Sequence, residues 1–314
     1  MSNILSSMQL IASQMAVKCS ELQQTAHEYV EALLVPAQIL CGIFAFVYIG
    51  MRLWSSWSRG EKIDFYGMIR PFSVGLLVCF FAAFVSVLQV VVKPIETAAA
   101  SLSESVYEPY VQAQNDYLQA TVDMRNSMAT YERKEAQENA QVAEEHITAS
   151  SSNMQIYRMV VDLLAQFTQL GISGMVYFVQ LYVVLAQLIL LLIGPFAFAL
   201  SLLPGFSGNI KHWMAHFLHL SLYKPLCLLV GFMVAMLFSQ CIYPVFIDMI
   251  NELPTAEYSF SDYEMACHVQ FSIQLLFVLF NSVAIALYAC IPTFSKWIIS
   301  SDGASGWLVA SKND

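Results

Sequence analysis

The chain has 314 residues, of which 58% are hydrophobic and only 12% are charged, and its formal net charge is −9. An ordinary soluble domain is about half apolar and about a quarter charged, so this composition indicates a protein that crosses a membrane several times. The acidic balance argues against tight binding of a nucleic-acid backbone, which depends on cations that displace counterions.

The first 32 residues predict an external amphipathic helix. Apolar side chains recur at helical spacing, at Ile4, Met8, Ile11, Met15 and Leu22, as expected for one face of a helix. No basic start precedes a short apolar core, so we expect no cleaved signal peptide.

Five stretches are long and apolar enough to cross a bilayer as helices, which takes about 20 apolar residues. Their apolar residues cover every helix face, whereas a transmembrane barrel would alternate in segments of about 10 residues. The sequence therefore predicts an all-α, polytopic membrane protein. The predicted spans, one to five, are Leu33–Met51, Pro71–Val92, Met175–Ile193, Pro225–Ile247 and Val269–Pro292.

These spans divide the chain into six predicted segments. They are an external amphipathic helix (1–32), spans one and two with a basic loop (33–92), an external helical region (93–170), span three with a Gly-Pro break (171–206), spans four and five with an acidic external loop (207–292), and a cytoplasmic tail (293–314).

Positive charge predicts the orientation, since short cytoplasmic loops carry an excess of Lys and Arg. The loop between spans one and two holds four cations, Arg52, Arg59, Lys62 and Arg70. Four more fall on the same predicted side, at Lys211, Lys224, Lys296 and Lys312, against Lys18 alone among the short segments of the other side. The cations of the long 93–170 region are left out of this comparison, because long loops do not follow the rule. We therefore expect a periplasmic N-terminus, a cytoplasmic C-terminus, and Lys224 at the cytoplasmic start of span four.

The external region predicts two helices. Residues 112–147 are rich in good helix formers, and Ser150–Asn153 predicts a break with a new N-cap before a second helix. On the first helix one face carries Val111, Leu118, Val122, Arg125 and Ala129. This helix is either a solvated coiled helix or a docking surface for partner proteins, and the sequence leaves both readings open.

A run of 48 residues between Asp162 and Lys211 has no Lys, Arg, Asp, Glu or His. Within it, Gly171–Gly174 predicts a hinge into span three. Gly194 and Pro195 predict a broken helix, because proline removes a backbone donor and clashes with the preceding turn. The segment 195–203 is too short to cross a bilayer and is expected to be a half-helix or a kinked extension. The motif closes with Pro204, Gly205 and Phe206.

Amide side chains are the main polar feature of the spans. Gln180 and Gln187 lie seven residues apart in span three, and Gln274 and Asn281 lie seven apart in span five. Each pair shares a helix face, and buried amides hold membrane helices together at roughly 1 kcal/mol each. We predict that the two faces meet, within one subunit or between subunits; scattered pore-facing polarity is the alternative.

Histidines and cysteines form no recognisable chemical site. His212, His216 and His219 share a helix face that would suit a metal or a proton relay. The alternative is an interfacial helix with Lys211 and Trp213 at the headgroups. Cys241 and Cys267 either form a disulfide or remain unlinked thiols. Nucleotide-binding loops and catalytic motifs are missing, so we expect no cofactor, no metal and no enzymatic activity.

The string from Leu192 to Phe206 resembles the TraJ family encoded by conjugative transposons, chiefly of Bacteroidetes. It is more distantly similar to the TrbL and VirB-type polytopic inner-membrane components of type IV secretion systems. Trp213, shortly after the motif, and the arrangement of spans and loops extend the resemblance over essentially the whole chain.

The resemblance implies a non-enzymatic channel or scaffold subunit of the bacterial inner membrane. Such proteins form an oligomeric ring, contact other secretion-system subunits that build the stalk or pilus, and transiently contact translocating DNA or nucleoprotein. The acidic external face favours mainly protein contacts over tight DNA binding. The alternatives are an oligomeric small-solute transporter or ion channel, which would have paired interrupted spans, and a membrane scaffold without a pore.

Overall fold

The computed structural model describes residues 2–60, 69–139, 148–254 and 258–299; within helices, only the backbone is described for 2–17, 19–28, 135–139, 148–158 and 161–162. Some predicted features therefore lie outside the described side chains. They are the apolar face from Ile4 to Leu22, and the cations Lys62 and Lys312. The described helices are α1 (Ser2–Arg59), α2 (Ile69–Cys79), α3 (Phe81–Asn139), α4 (Thr148–Leu200), α5 (Asn209–Ser221), α6 (Tyr223–Leu237), a π-helical turn (Phe238–Ile242), α7 (Tyr243–Asn251), α8 (Phe260–Ala289) and α9 (Ile291–Ile298).

The predicted fold class is confirmed. Within the described ranges the protein is helical without strands, and five of its helical runs are long and apolar enough to cross a membrane. These runs are Tyr29–Arg59, Phe81–Lys134, Leu163–Leu200, Asn209–Asn251 and Phe260–Ala289.

The predicted N-terminal helix continues into span one as a single helix, α1. Two predicted interruptions are wrong, because helical hydrogen bonding continues through them. Helix α4 already begins at Thr148, so Ser150–Asn153 lies in its first turns, and it continues through Gly171–Gly174 without a hinge. Glycine lowers helix propensity by only about 1 kcal/mol, which packing of the flanking residues offsets. Span two is interrupted instead at Phe80, between α2 and α3.

The chain divides into two compact units. Unit 1 contains Met1–Thr97, Tyr177–Leu226 and Ile291–Asp314, and unit 2 contains Ala98–Val176 and Cys227–Cys290. Spans one and two and nearly all of span three, as predicted from the sequence, therefore belong to unit 1. Nearly all of spans four and five belongs to unit 2, together with most of the predicted external helical region.

Each unit has its own apolar core. In unit 1 the core joins α1, α2, the start of α3, the end of α4, and α5; its most buried large side chains include Phe81, Phe198 and Phe217. In unit 2 it joins α3, α7 and α8 with the π-helical turn, around Tyr243 and Phe246. Deep burial of one aromatic side chain contributes roughly 2–3 kcal/mol.

Candidate functional site

The Gly194–Pro195 motif is a packing site within a continuous helix. Helix α4 runs through Pro195 to Leu200, so the predicted break at this position is wrong. A Cβ added at Gly194 would overlap the tip of the Phe81 ring and come within 3.0 Å of Trp213 Cε2. Gly194 therefore allows an aromatic ring of α3 to lie directly against the α4 backbone. Gly194 therefore serves the packing of α4 against α3 and does not end α4.

Trp213 occupies the centre of an aromatic cluster in unit 1. Its ring lies 5.4 Å from that of Phe81, 5.1 Å from Phe198 and 5.2 Å from Phe217, between centroids. Its indole N–H donates to the carbonyl of Leu190 at 2.8 Å, in the turn of α4 that precedes Pro195. The residue is only 4% exposed, so the predicted position of Trp213 at the lipid headgroups is wrong.

The helical interruption lies beyond Leu200. Residues 201–208 form turns, and Gly205 adopts a φ of +98°, which glycine reaches without the steric penalty of a Cβ. Pro204 and Phe206, the other members of the predicted motif, flank it and are exposed. The motif therefore does contain the end of a helix, but the turn lies at Pro204–Gly205 and not at Gly194–Pro195.

Arg70 ties the start of α2 to the turn after α4 in unit 1. Its guanidinium donates to the carbonyl of Ser201 at 3.2 Å, so these two points of the chain lie at the same end. Arg59 ends α1, and Arg52 donates to the hydroxyl of Tyr48. Three predicted topology determinants thus lie in α1 and at the start of α2.

Helices α4 and α5 form an antiparallel hairpin that closes at the Ser201 turn. Two contacts join these helices in order, Leu190 with Trp213 and Gln187 with Ser221, and a third joins α4 to the first residue of α6, Tyr182 with Tyr223. Leu200 lies 18 residues from Tyr182, so the hairpin carries the chain back by about 27 Å at 1.5 Å per residue. This is close to the roughly 30 Å thickness of a bilayer core.

At the open end of this hairpin, Lys224 forms an ion pair with Glu96 of α3. The sequence prediction placed Glu96 outside the membrane and Lys224 at its cytoplasmic face. Because the two side chains are adjacent, these positions cannot both be right. The error comes from Asn209–Ser221, which the sequence suggested as an interfacial helix but which packs along α4.

The three histidines of α5 do not assemble a metal site. His212 and His216 are exposed, whereas the ring of His219 packs edge-on against Tyr223 at 5.1 Å. The backbone carbonyl of His219 accepts from the hydroxyl of Ser295 in α9. Among the described side chains, no group of three or more His, Cys, Asp or Glu is placed to hold a metal ion.

The four predicted amides have separate environments. In unit 1, Gln187 donates to the Ser221 hydroxyl at 3.3 Å, while Gln180 is exposed. In unit 2, Gln274 is buried, and Asn281 is 1% exposed and donates to the Thr168 hydroxyl at 3.3 Å. The amide oxygen of Asn281 has no hydrogen-bond partner among the described atoms. The meeting of the two amide faces remains a prediction.

A heptad seam on α3, which the sequence analysis missed, forms much of the unit 2 core. Tyr110, Tyr117, Met124 and Tyr131 recur every seven residues, with small residues at Ala113 and Ala120 between them. Tyr117 stacks on Tyr243 with centroids 5.3 Å apart, and Tyr131 stacks on Tyr263 at 4.9 Å. The seven-residue spacing of these aromatic and Met residues is visible in the sequence and could have predicted the seam. The apolar face predicted from the sequence was instead the one with Val111, Leu118 and Val122.

The acidic loop leads into α8 through a capping box. The Ser259 side chain accepts from the Asp262 backbone N–H, and the Asp262 carboxylate accepts from the Ser259 backbone N–H, which satisfies otherwise unpaired donors. Tyr258, just before the cap, shares a hydrogen bond with Ser127, and burial raises the pKa of its phenol. Tyr263 donates to Glu132 at 2.6 Å. These contacts attach the acidic loop to α3.

Cys241 is an exposed free thiol and forms no disulfide with the buried Cys267. The sequence left a disulfide and unlinked thiols open for this pair, and in the structure the two thiols are unlinked.

One family model matches the chain: homologues of TraJ from the Bacteroides conjugative transposon, over residues 15–158. No curated protein and no solved structure matches. The matched residues cover most of α1, then α2, α3 and the start of α4, and therefore do not include the Leu192–Phe206 string. The family resemblance is confirmed over that part of the chain: residues 15–158 are similar to the TraJ proteins of Bacteroides conjugative transposons.

Proposed function

We propose that this protein is a non-catalytic channel or scaffold subunit at the inner-membrane base of a conjugative, type IV secretion-like apparatus. The observation that carries the proposal is the TraJ family match, found in a chain with five helices of membrane-spanning length. It would act as an oligomer in the bilayer, contact other subunits of the apparatus, and support transfer of DNA or nucleoprotein.

The proposed orientation has the N-terminus in the periplasm and the C-terminus in the cytoplasm. Arg59 ends α1, Arg70 at the start of α2 donates to the Ser201 turn, and Lys211 follows that turn. This clustering supports a cytoplasmic position for that end. Lys224 then lies at the external end of the helix that begins at Asn209.

Deletion of the gene from its conjugative element, followed by complementation in trans, tests the function. We expect transfer to recipients to fall below detection and to return with the wild-type chain, while uptake of small solutes by the donor is unchanged. Transfer at the normal frequency without the protein would overturn the proposal, and a solute-uptake defect with normal transfer would favour a transporter.

Point variants suit this assay better than removal of the predicted external helical region, because α3 is continuous and supplies much of the core of unit 2. Gly194→Leu, which would collide with Phe81, should abolish complementation. Gly174→Leu is the matched control, since a Cβ at that position meets no atom within 4 Å. Immunoblotting of membrane fractions separates loss of protein from loss of function.

A further inference from the structure

The exposed side chains of helix α5 are all polar. They are Lys211, His212 and His216, whereas Trp213 and Phe217 of the same helix are buried in the unit 1 core. His212 and His216 are four residues apart, so they lie on the same side of the helix, one turn from each other. We refer to this side as the histidine side of α5.

His216 lies in the interior of the α4–α5 hairpin and not at either of its ends. Along α5 it falls between the two residues that contact α4, Trp213 and Ser221. Their partners in α4 lie about 15 Å and about 20 Å from the closed end of the hairpin, whose length is about 27 Å. A bilayer core is roughly 30 Å thick, so a hairpin that crosses the membrane carries His216 deep into the hydrocarbon layer.

The exposed surface of α4 at the same depth has a different character. Leu185, Ile189 and Ile193 are exposed there, at intervals of four residues that place them on one side of the helix. Such an aliphatic surface suits acyl chains. An imidazole both donates and accepts hydrogen bonds, which acyl chains cannot provide. Neither the His212 ring nor the His216 ring has a hydrogen bond or an ion pair within the described part of the chain.

This chemistry restricts what can cover the histidine side. Ionisable side chains in membrane-crossing helices are rare and almost always face a bundle interior or a water-filled cavity. The interior of unit 1 is filled by Trp213 and Phe217, and the two histidines remain exposed beside it. Contact with the same side of a second copy would bring Lys211 against further basic residues, and α5 has no carboxylate to pair with them.

We propose that the histidine side of α5 lines a water-filled path through the membrane. Water satisfies the donors and acceptors of both imidazoles, while the aliphatic side of α4 faces lipid. Lys211 lies in the first turn of α5, at the cytoplasmic mouth of this path. The inference rests on the proposed function, since the hairpin must cross the bilayer, and it adds which side of the chain a hydrated cargo would meet.

Single cysteines in membranes of donor cells with the complete conjugative element test the proposal. His216→Cys and Ile189→Cys are each placed in a chain cleared of its seven native cysteines. The membranes are opened, so that a charged, impermeant thiol reagent reaches both faces. We expect His216→Cys to react at least about tenfold faster than Ile189→Cys, because the reacting thiolate forms in water and not in lipid. Ile189 is the matched control, since it is exposed at a similar depth on the aliphatic side of α4.

Several results would overturn the water path. Slow reaction at both positions would mean that lipid or another protein covers the histidine side. Equally fast reaction at both would mean that the two sides do not differ in hydration. Disulfide-linked dimers through His216→Cys would identify a second copy as the occupant.

The native chain provides a second measurement that does not depend on cysteine variants. Exchange of the imidazole C2 proton with heavy water, followed by mass spectrometry, requires a hydrated ring. We expect His216 to exchange severalfold faster than His219, whose Nε2 atom is buried, and equal rates would contradict the proposal. A shielded His216 in a chain that restores transfer would overturn the water path alone, whereas the gene deletion tests the proposed function separately.

Discussion

Lys224 and Glu96 form an ion pair in unit 1, although the sequence places them on opposite sides of the membrane. The Lys224 side chain is 65% exposed, and a charge in the bilayer core costs about 2.5–3.5 kcal/mol on insertion scales. A headgroup position accommodates the pair much better. Glu96 lies 26 residues beyond Arg70, or about 39 Å along α2 and α3, which is close to the full thickness of a bilayer with its headgroups.

Cysteines substituted for Glu96 and Lys224 should therefore react from the same side of the membrane. We expect a membrane-impermeant maleimide to label both in intact spheroplasts. The matched control, Arg59→Cys at the other end of unit 1, should label only after the cells are opened. Labelling of the two positions from opposite faces would show that the ion pair does not form in the membrane.

Gly194→Ala should destabilise unit 1 by about 1–3 kcal/mol, the usual effect of overpacking a core, because the new Cβ collides with Phe81. Thermal unfolding in detergent measures the effect. Gly174→Ala, with open space around the new Cβ, should be neutral or stabilising by up to about 1 kcal/mol. Adding Phe81→Leu should recover part of the Gly194→Ala loss, and strict additivity of the two changes would argue against their contact.

Trp213→Phe should lower stability by about 1–3 kcal/mol, because the carbonyl of Leu190 loses a buried donor while much of the ring packing remains. Trp54→Phe is the control, since Trp54 is exposed; it should shift the melting temperature by less than about 1 °C, given that ordinary surface changes stay within about 0.5 kcal/mol. Equal melting temperatures for the two variants would mean that the indole hydrogen bond contributes nothing.

Tyr117→Ala and Leu118→Ala should differ sharply although they are adjacent. Tyr117 stacks on Tyr243 and contacts Phe246 in the unit 2 core, so its truncation should cost about 3 kcal/mol. Leu118→Ala should change the free energy of unfolding by less than about 0.5 kcal/mol. Denaturant titration of the purified protein compares them, and similar losses at both positions would contradict the heptad seam.

Replacing Gln187 and Asn281 with leucine tests the amide hypothesis. The oxygen of Asn281 has no partner among the described atoms, so its removal should change the stability of the monomer by less than about 1 kcal/mol. If the amides join subunits, native mass spectrometry should nevertheless register a smaller assembly. An unchanged assembly would leave these residues without a role in oligomerisation.

The helical content of the fold was predictable, because backbone polar groups inside a bilayer must be paired within the protein. Long charge-free stretches must be helical in a bilayer. For this reason the sequence predicted the five helices that are long and apolar enough to span one within the described ranges. Helix boundaries were harder, since Gly171–Gly174 and Pro195 weaken a helix locally while contacts distant in sequence determine whether it ends. The heptad of Tyr110, Tyr117 and Met124 was visible in the sequence, but the pattern could not tell which of two apolar faces on α3 would be buried.

The sequence by itself determined the class of protein, its helices and its likeness to a family, because apolar length and a linear motif are properties of adjacent residues. Only the tertiary structure decided that Gly194 admits Phe81, that Trp213 is a core residue, and that Lys224 lies beside Glu96. Each of these depends on which helices pack together and in which direction. Hydropathy carries no information about that choice, since an apolar helix surface is equally compatible with lipid and with another helix.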